Sequence, residues 1–361
     1  MKKILTVAVC VAILAMMSCS DSKSQAPKEK QAEAVFNSMV MEPMVEVLSS
    51  DAMGLMFDYS GMMDTLPFGS PVKGVSGFTK DSGVREILSG VRNSSGIFRN
   101  RSISKQSDRF IFEDNLGTYT WNGYDWDVVP GGESINIIVP ADLAYDGKEF
   151  KLIISDYEDK HMEWSDDYDT GYSDYFVIKF IFDMYHDNII VLGVDFEADW
   201  KHSSLIDDVI PSYLSLTMTM PPFLFTASYQ TEGLTESVSL TATKNGAPMM
   251  SIDLNITYTD STFEDIADVY ASYSAGVHLL EMFMDSMFMD AVDDDDDEII
   301  ADMINEGDHV YLNIKERRSG IYTIIGRLKA SVDEEGLSVY ILFNDGSIVV
   351  FDDMFDDDWA K

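Results

Sequence analysis

Residues 261–287 read STFEDIADVYASYSAGVHLLEMFMDSM, and the reading of this stretch decides the fold. Ser261-Thr262-Phe263-Glu264 has the form of a capping box. The serine hydroxyl would cap the helix, and the glutamate three residues on would reach back to the N-cap amide. Phe263, Ile266, Tyr270, Tyr273, Val277, Leu280, Met284 and Met287 follow at spacings of 3 and 4. Such a repeat puts apolar residues on one face of a helix. The spacing predicts one helix over 262–292, about 46 Å long at 1.5 Å per residue. An eight-residue strand spans only about 27 Å, so this helix needs a wide surface to lie on. A curved sheet of about nine strands, spaced about 4.8 Å apart, would supply it.

The flanking sequence supplies strands. Residues 117–129, GTYTWNGYDWDVV, set aromatic residues on both sides of Asn122-Gly123, a strong hairpin signal. Leu214, Leu216, Met218 and Met220 alternate with Ser215, Thr217 and Thr219. Phe223, Phe225, Ala227 and Tyr229 alternate in the same way after Pro221-Pro222. Val238, Leu240 and Ala242, then Met250, Ile252, Leu254 and Ile256, flank a second hairpin signal at Asn245-Gly246. One apolar face and one Ser/Thr face mark an antiparallel sheet with water on one side. Toward the N-terminus, Val35, Met39 and Glu42-Pro43 predict a helix ending near the proline, and 45–56 predict a second. The expected fold class is α+β: a wide curved antiparallel sheet, one long helix on its apolar face, and a helical N-terminal segment over 34–63. Residues 34–361 form a single β-rich domain in this reading, with sheet over 109–259 and 309–352.

The chain has 361 residues, 46% of them hydrophobic, which is ample for a core. Its net charge is −38, from 63 acidic and 25 basic residues. Nucleic acid is excluded as a partner on that ground, because binding it needs cationic groups to displace counterions. So strong a negative charge keeps a protein soluble and off anionic headgroups, and it attracts cations or basic partners.

Met1-Lys2-Lys3 is followed by an apolar run of 14 residues, Ile4–Met17, and then by Ser18-Cys19. The run is too short for the roughly 20 residues a membrane-spanning helix needs, and it suits a secretory signal. A cysteine directly after such a run resembles the lipobox of bacterial lipoproteins. Ser18 fits that pattern, whereas Met16 and Met17 depart from it. Ordinary cleavage after Ser20 is the alternative. The looser box, together with the body of the chain, is similar to uncharacterised lipoproteins of the Bacteroidota. The resemblance implies a signal peptide over 1–18, a Cys19 diacylated on sulfur as the first mature residue, and anchorage in the outer membrane. In that group acidic residues just behind the cysteine can mark surface export. Ser20-Asp21-Ser22-Lys23 matches in part, so the surface and periplasmic faces both stay open. Residues 19–33 form a tether. Cys10 lies inside the signal, so the mature chain has no disulfide.

The sequence holds no catalytic constellation. The histidines, His161, His186, His202, His278 and His309, form no HxH, HxxxH or HExxH pair, and there is no GxSxG. Ser102-Ile103-Ser104-Lys105 reads S-x-x-K without its companion motifs. Asp293, Asp294, Asp295, Asp296, Asp297 and Glu298 are a candidate for weak divalent-cation binding, since carboxylates suit calcium. They lack the glycine of a calcium loop. Met284 and Met287 are candidates for an apolar ligand groove between sheet and helix, because methionine suits adaptable apolar surfaces. The expected function is a lipid-anchored, non-enzymatic binding or structural module of the envelope, with no cofactor and with an apolar ligand or envelope protein as partner. A carrier holding an acyl chain between sheet and helix is one alternative. A glycan-contacting protein using Tyr119, Trp121, Tyr124 and Trp126 is another.

Overall fold

The structure is a computed structural model. It describes residues 111–350 except 125, 145–146, 166–170, 204–207, 262, 264, 295 and 334–335, together with 31, 34, 35, 38, 39, 42 and 43. The signal, Cys19, the expected second helix, Ser102–Lys105 and the acidic C-terminus lie outside the described residues.

Sixteen strands account for most of the described chain. They are β1 (Gly117–Trp121), β2 (Trp126–Pro130), β3 (Ile135–Val139), β4 (Phe150–Ser165), β5 (Gly171–His186), β6 (Ile189–Ser203), β7 (Asp208–Met220) and β8 (Phe223–Glu232). After these come β9 (Thr235–Lys244), β10 (Ala247–Tyr258), β11 (Ile266–Ala275), β12 (His278–Asp285), β13 (Val310–Arg318), β14 (Ile321–Asp333), β15 (Gly336–Phe343) and β16 (Ile348–Val350). Two short helices, α1 (Ser286–Asp293) and α2 (Asp297–Glu306), stand between β12 and β13. From β3 to β16 each strand is hydrogen-bonded to the next in sequence, and β1 lies between β2 and β3. The β1–β3 pair is parallel, which makes the sheet mixed.

This corrects the expected α+β class: the protein is mainly β, and among the described residues no long helix packs on the sheet. Residues 266–285 are a hairpin. Its register pairs Ala275 with His278 and Tyr273 with Leu280, leaving Gly276-Val277 as a two-residue turn. Gly276 has φ +57°. Glycine first in a two-residue loop is the mark of a II′ hairpin. The helical stripe misled because two periods fit the same letters. Val269, Ala271, Tyr273 and Ala275 are buried at period two, as are His278, Leu280, Met282 and Met284. The small alanines hid this alternation, and Tyr270 on the other face completed a false 3-4 repeat. A register shift on β11 also turns both Ile266 and Val269 inward, at spacing three. Two members of the stripe, Val277 at 47% and Met287 at 55%, are exposed, which a buried helical seam does not allow. Asp285, not Ser261, caps a helix: its carboxylate accepts from the Phe288 amide at 3.1 Å.

The strands form two compact units. In one, 111–231 and 239–247, alternate residues of β3 and β4 turn inward: Ile135, Ile137 and Val139, with Phe150, Leu152 and Ile154. Burying every second residue is what a period-two apolar pattern dictates. In the other, Glu232–Val238 and 248–350 join the described N-terminal residues. Its core joins Leu280, Met282, Leu312, Ile314 and Ile341 to Phe288, Ile300 and Ile304 of the two helices. Val35 and Met39 belong to the same core, four residues apart on a helical stretch as their spacing predicts. Tyr273 donates its hydroxyl to the Met39 carbonyl, and burial pushes that phenol up to about 12.

Helix α2 also closes an edge. β14 pairs with β13 only from Ile321 to Arg327. Beyond that, Asn305 of α2 takes the place of a strand. Its amide group donates to the Ala330 carbonyl at 2.9 Å, and its oxygen accepts from the Ala330 amide at 3.2 Å. A strand edge left with open backbone groups is a template for unwanted pairing, and one side chain here satisfies two of those groups.

Candidate functional site

The expected site residues do not converge. Asp293 ends α1, and the Asp294 amide donates to the Asp290 carbonyl at 3.0 Å. Asp296 caps α2 by accepting from the Ile299 amide at 3.2 Å, while Asp297 and Glu298 fill its first turn. Carboxylates there face the positive end of the helix dipole. The acidic run is therefore a helix break and a helix start, and Asp295 lies outside the described residues. Among the described residues no group of three or more His, Cys, Asp or Glu side chains is placed to hold a metal ion. Met284 is buried in β12, whereas Met287 is exposed in α1. The long helix that was to cover the groove is replaced over 266–285 by the β11–β12 hairpin.

The aromatic hairpin forms as expected, with Trp121 opposite Trp126 and their rings 5.3 Å apart. Tyr119 is buried, donating its hydroxyl to the Asn115 carbonyl at 2.9 Å, so it belongs to the core. Tyr124 is 82% exposed in the loop.

Two histidines make specific contacts. His278 Nδ1 lies 2.6 Å from Ser38 Oγ, and Ser38 also donates to the Val35 carbonyl at 3.2 Å. His278 is 8% exposed, and burial lowers its affinity for a proton. A neutral imidazole bonded to a serine that is itself tied to its own helix fastens the N-terminal stretch to the hairpin. It does not present a nucleophile to solvent. His309 Nδ1 lies 2.8 Å from Asp285 Oδ2, the carboxylate that caps α1. That partner raises the histidine's affinity for a proton.

One concave feature among the described residues was not foreseen. A cleft of about 500 Å³ on the β14–β15 pair is lined by Ile324, Arg327, Lys329, Leu342, Phe343 and Asn344. Arg327 stands opposite Leu342 in the register, and Lys329 is two residues further along the same strand. Asn344 shapes one end: its side-chain amide donates to the Ile324 carbonyl at 2.9 Å and its backbone amide to the Ile325 carbonyl at 2.8 Å. Four other basic side chains of this acidic chain are paired: Lys179 with Asp156, Lys160 with Asp199, Arg318 with Glu316, and Lys315 with Glu281. Among the described residues neither Arg327 nor Lys329 has a carboxylate partner, and the Lys329 ammonium donates to the Asn305 carbonyl at 3.0 Å. The sequence carried a signal for this patch: residues 317–332 hold four basic residues and no acidic one.

No protein-family model, no curated protein and no solved structure matches the chain. The fold therefore defines the class on its own, a mainly β protein built on a wide mixed sheet. No helix among the described residues is long and apolar enough to cross a membrane.

Proposed function

We propose that the chain is a lipid-anchored protein of the bacterial cell envelope that serves as a non-enzymatic binding module. The observation that carries the reading is Cys19, directly behind a basic start and a 14-residue apolar run. Binding is supported by the open cleft beside Arg327 and Lys329, whose charges lack carboxylate partners among the described residues. The serine–histidine contact at Ser38 and His278 serves the core. The acyl-carrier alternative needed a long helix over the sheet, and a hairpin occupies those residues, so it is dropped. Glycan contact keeps one favourable observation: Tyr124 is exposed beside the Trp121–Trp126 pair. A Trp126→Ala variant losing hits on a glycan array would support it, and an array with no hits for the parent would remove it.

The anchoring is tested by growing cells with radiolabelled palmitate. The wild-type chain should carry label and sediment with membranes, and Cys19→Ala should lose both properties. An unlabelled, soluble wild-type chain would overturn the proposal.

A further inference from the structure

We infer that the outer edge of β2 takes up an extended peptide as an added strand, and that the peptide it suits alternates basic and apolar residues. The inference deepens the binding-module reading and rests on it, but it does not depend on the lipid anchor.

Three observations carry it. The first is an open edge. β2 ends the sheet, and among the described residues β1 is its one neighbour. The register sets Gly117 opposite Pro130 and Tyr119 opposite Val128. Pro130 has no N–H, and one step further on the Gly131 N–H donates to the Leu116 carbonyl at 2.9 Å. Gly117–Pro130 is therefore a non-hydrogen-bonded pair. By the alternation of an antiparallel ladder, Tyr119–Val128 is another. The Val128 N–H and C=O thus point away from β1, and the Pro130 carbonyl points the same way. Outward backbone groups of this kind are a template for strand addition. Asp127, Val128, Val129 and Pro130 are all exposed. Pro130 stands at the last position, so it ends the edge without interrupting it. The opposite edge of the sheet, β16, offers only three residues.

The second is the difference between the two faces of β2. Val128 lies opposite Tyr119, which belongs to the core, so Val128 continues the core face. It is nevertheless 50% exposed, because no strand lies beyond it among the described residues. An apolar residue on an added strand would cover it. Successive side chains of a strand point to opposite faces, so Asp127 lies on the other side. A cation on the added strand would meet Asp127 there, since opposite charges on neighbouring strands attract. Apolar on one face and basic on the other is an alternating sequence.

The third is local charge. Residues 111–147 hold seven acidic residues and no lysine, arginine or histidine. Glu113 and Asp114, in the single turn before β1, and Glu133, between β2 and β3, are exposed. This field draws in a basic chain and opposes an acidic one. It also selects against a second copy as the occupant, because pairing β2 with β2 would bring together two chains of net charge −38.

The test is fluorescence anisotropy of a dye-labelled peptide of about seven residues, an ordinary strand length, that alternates lysine and valine. It is titrated with the full chain carrying Cys19→Ala, which removes the acylation point. The peptide should bind, and the same peptide with glutamate for lysine should not. Val128→Pro removes the outward N–H and leaves the β1–β2 ladder intact, since proline is tolerated on an edge strand whose N–H faces water. It should weaken binding about tenfold, the scale of one lost hydrogen bond. A second arm leaves the protein unaltered. In antiparallel addition the valine amides of the peptide face β2, and in parallel addition the lysine amides do. N-methylating all the valines, or all the lysines, should therefore abolish binding in one case and spare it in the other. Failure of the parent peptide to bind at millimolar concentration would overturn the inference. So would equal binding of the glutamate peptide, or undiminished binding of both methylated peptides, which is attraction by charge alone. Because the titration uses an unacylated chain, its failure is distinguishable from failure of the anchoring, which palmitate labelling reads separately.

Discussion

Replacing Gly276 by alanine gives opposite signs for a hairpin and a helix. In the hairpin, Gly276 has φ +57°, and a Cβ built there meets no atom within 4 Å. The cost of alanine is therefore conformational. Holding an L-residue in the left-handed region costs about 1–2 kcal/mol. Reduced freedom of the unfolded chain returns roughly 0.4–1 kcal/mol of that. The net expectation is a loss of about 0.5–1.5 kcal/mol. In a continuous helix over 262–292 the same substitution would gain about 0.8–1.0 kcal/mol, because glycine is a poor interior helix residue. Urea denaturation followed by circular dichroism reads the difference as a shift of the midpoint at constant slope. Gly276→Asn should cost less than Gly276→Ala, since asparagine tolerates the left-handed region better. An alanine variant more stable than the parent, with more helical signal, would refute the hairpin and the meander built on it.

Other perturbations have defined outcomes. Asn305→Ala strips two partners from the Ala330 backbone and should cost about 1–3 kcal/mol, with faster hydrogen exchange at the Ala330 amide; unchanged exchange would contradict the edge-closing role. Gly326→Ala would bring a Cβ within 3.1 Å of the Phe343 ring and 3.2 Å of Ile341, so overpacking of about 1–3 kcal/mol should appear in the same denaturation assay. His278 is held below its ordinary value of 6.5, with burial as the main cause and Glu316 and Glu42 opposing it. As pH falls below 6.5 the unfolded chain takes up this proton before the folded one does. Its stabilisation is complete above that value and falls with pH, by no more than about 1.4 kcal/mol per unit for one proton. Subtracting the stability–pH curve of His278→Asn from that of the parent should expose this slope, and a flat difference would contradict it. His309 has the opposite sense: Asp285 raises its proton affinity, so its contribution is present at acid pH and is lost as pH rises through the folded value. His309→Asn should therefore cost more at about pH 5 than at about pH 9, and an equal cost at both would contradict the pairing.

Much of the sheet was legible where turn chemistry and alternation agreed. Asn245-Gly246 is a two-residue turn with both φ angles positive, +50° and +79°, between β9 and β10. Asn122-Gly123 likewise falls between β1 and β2. Val35 and Met39 were readable as one face of a helix. The stretch 261–287 was not, because Ala271 and Ala275 carry too little apolar surface to mark an inward face, while Tyr270 and Phe283 mark the outward one. Gly276-Val277 held the missing clue, a glycine at the first position of a possible II′ turn, yet a glycine within a 3-4 repeat is also tolerated in a helix. In the acidic run 293–298 a count of carboxylates does not reveal that the end of one helix and the start of the next divide it. The cleft was illegible for a different reason. Arg327 and Leu342 belong to different strands, and only the β14–β15 register sets them side by side. Their one trace in the sequence is a run of 16 residues, 317–332, without an acid.

Acylation of Cys19 as the first mature residue is the central proposal. Intact-mass measurement of the chain purified from bacterial membranes tests this directly. The expected result is a chain that begins at Cys19 and carries a diacylglyceryl group on its sulfur. A chain cleaved after Ser20, or one that retains residues 1–18 without lipid, would contradict it.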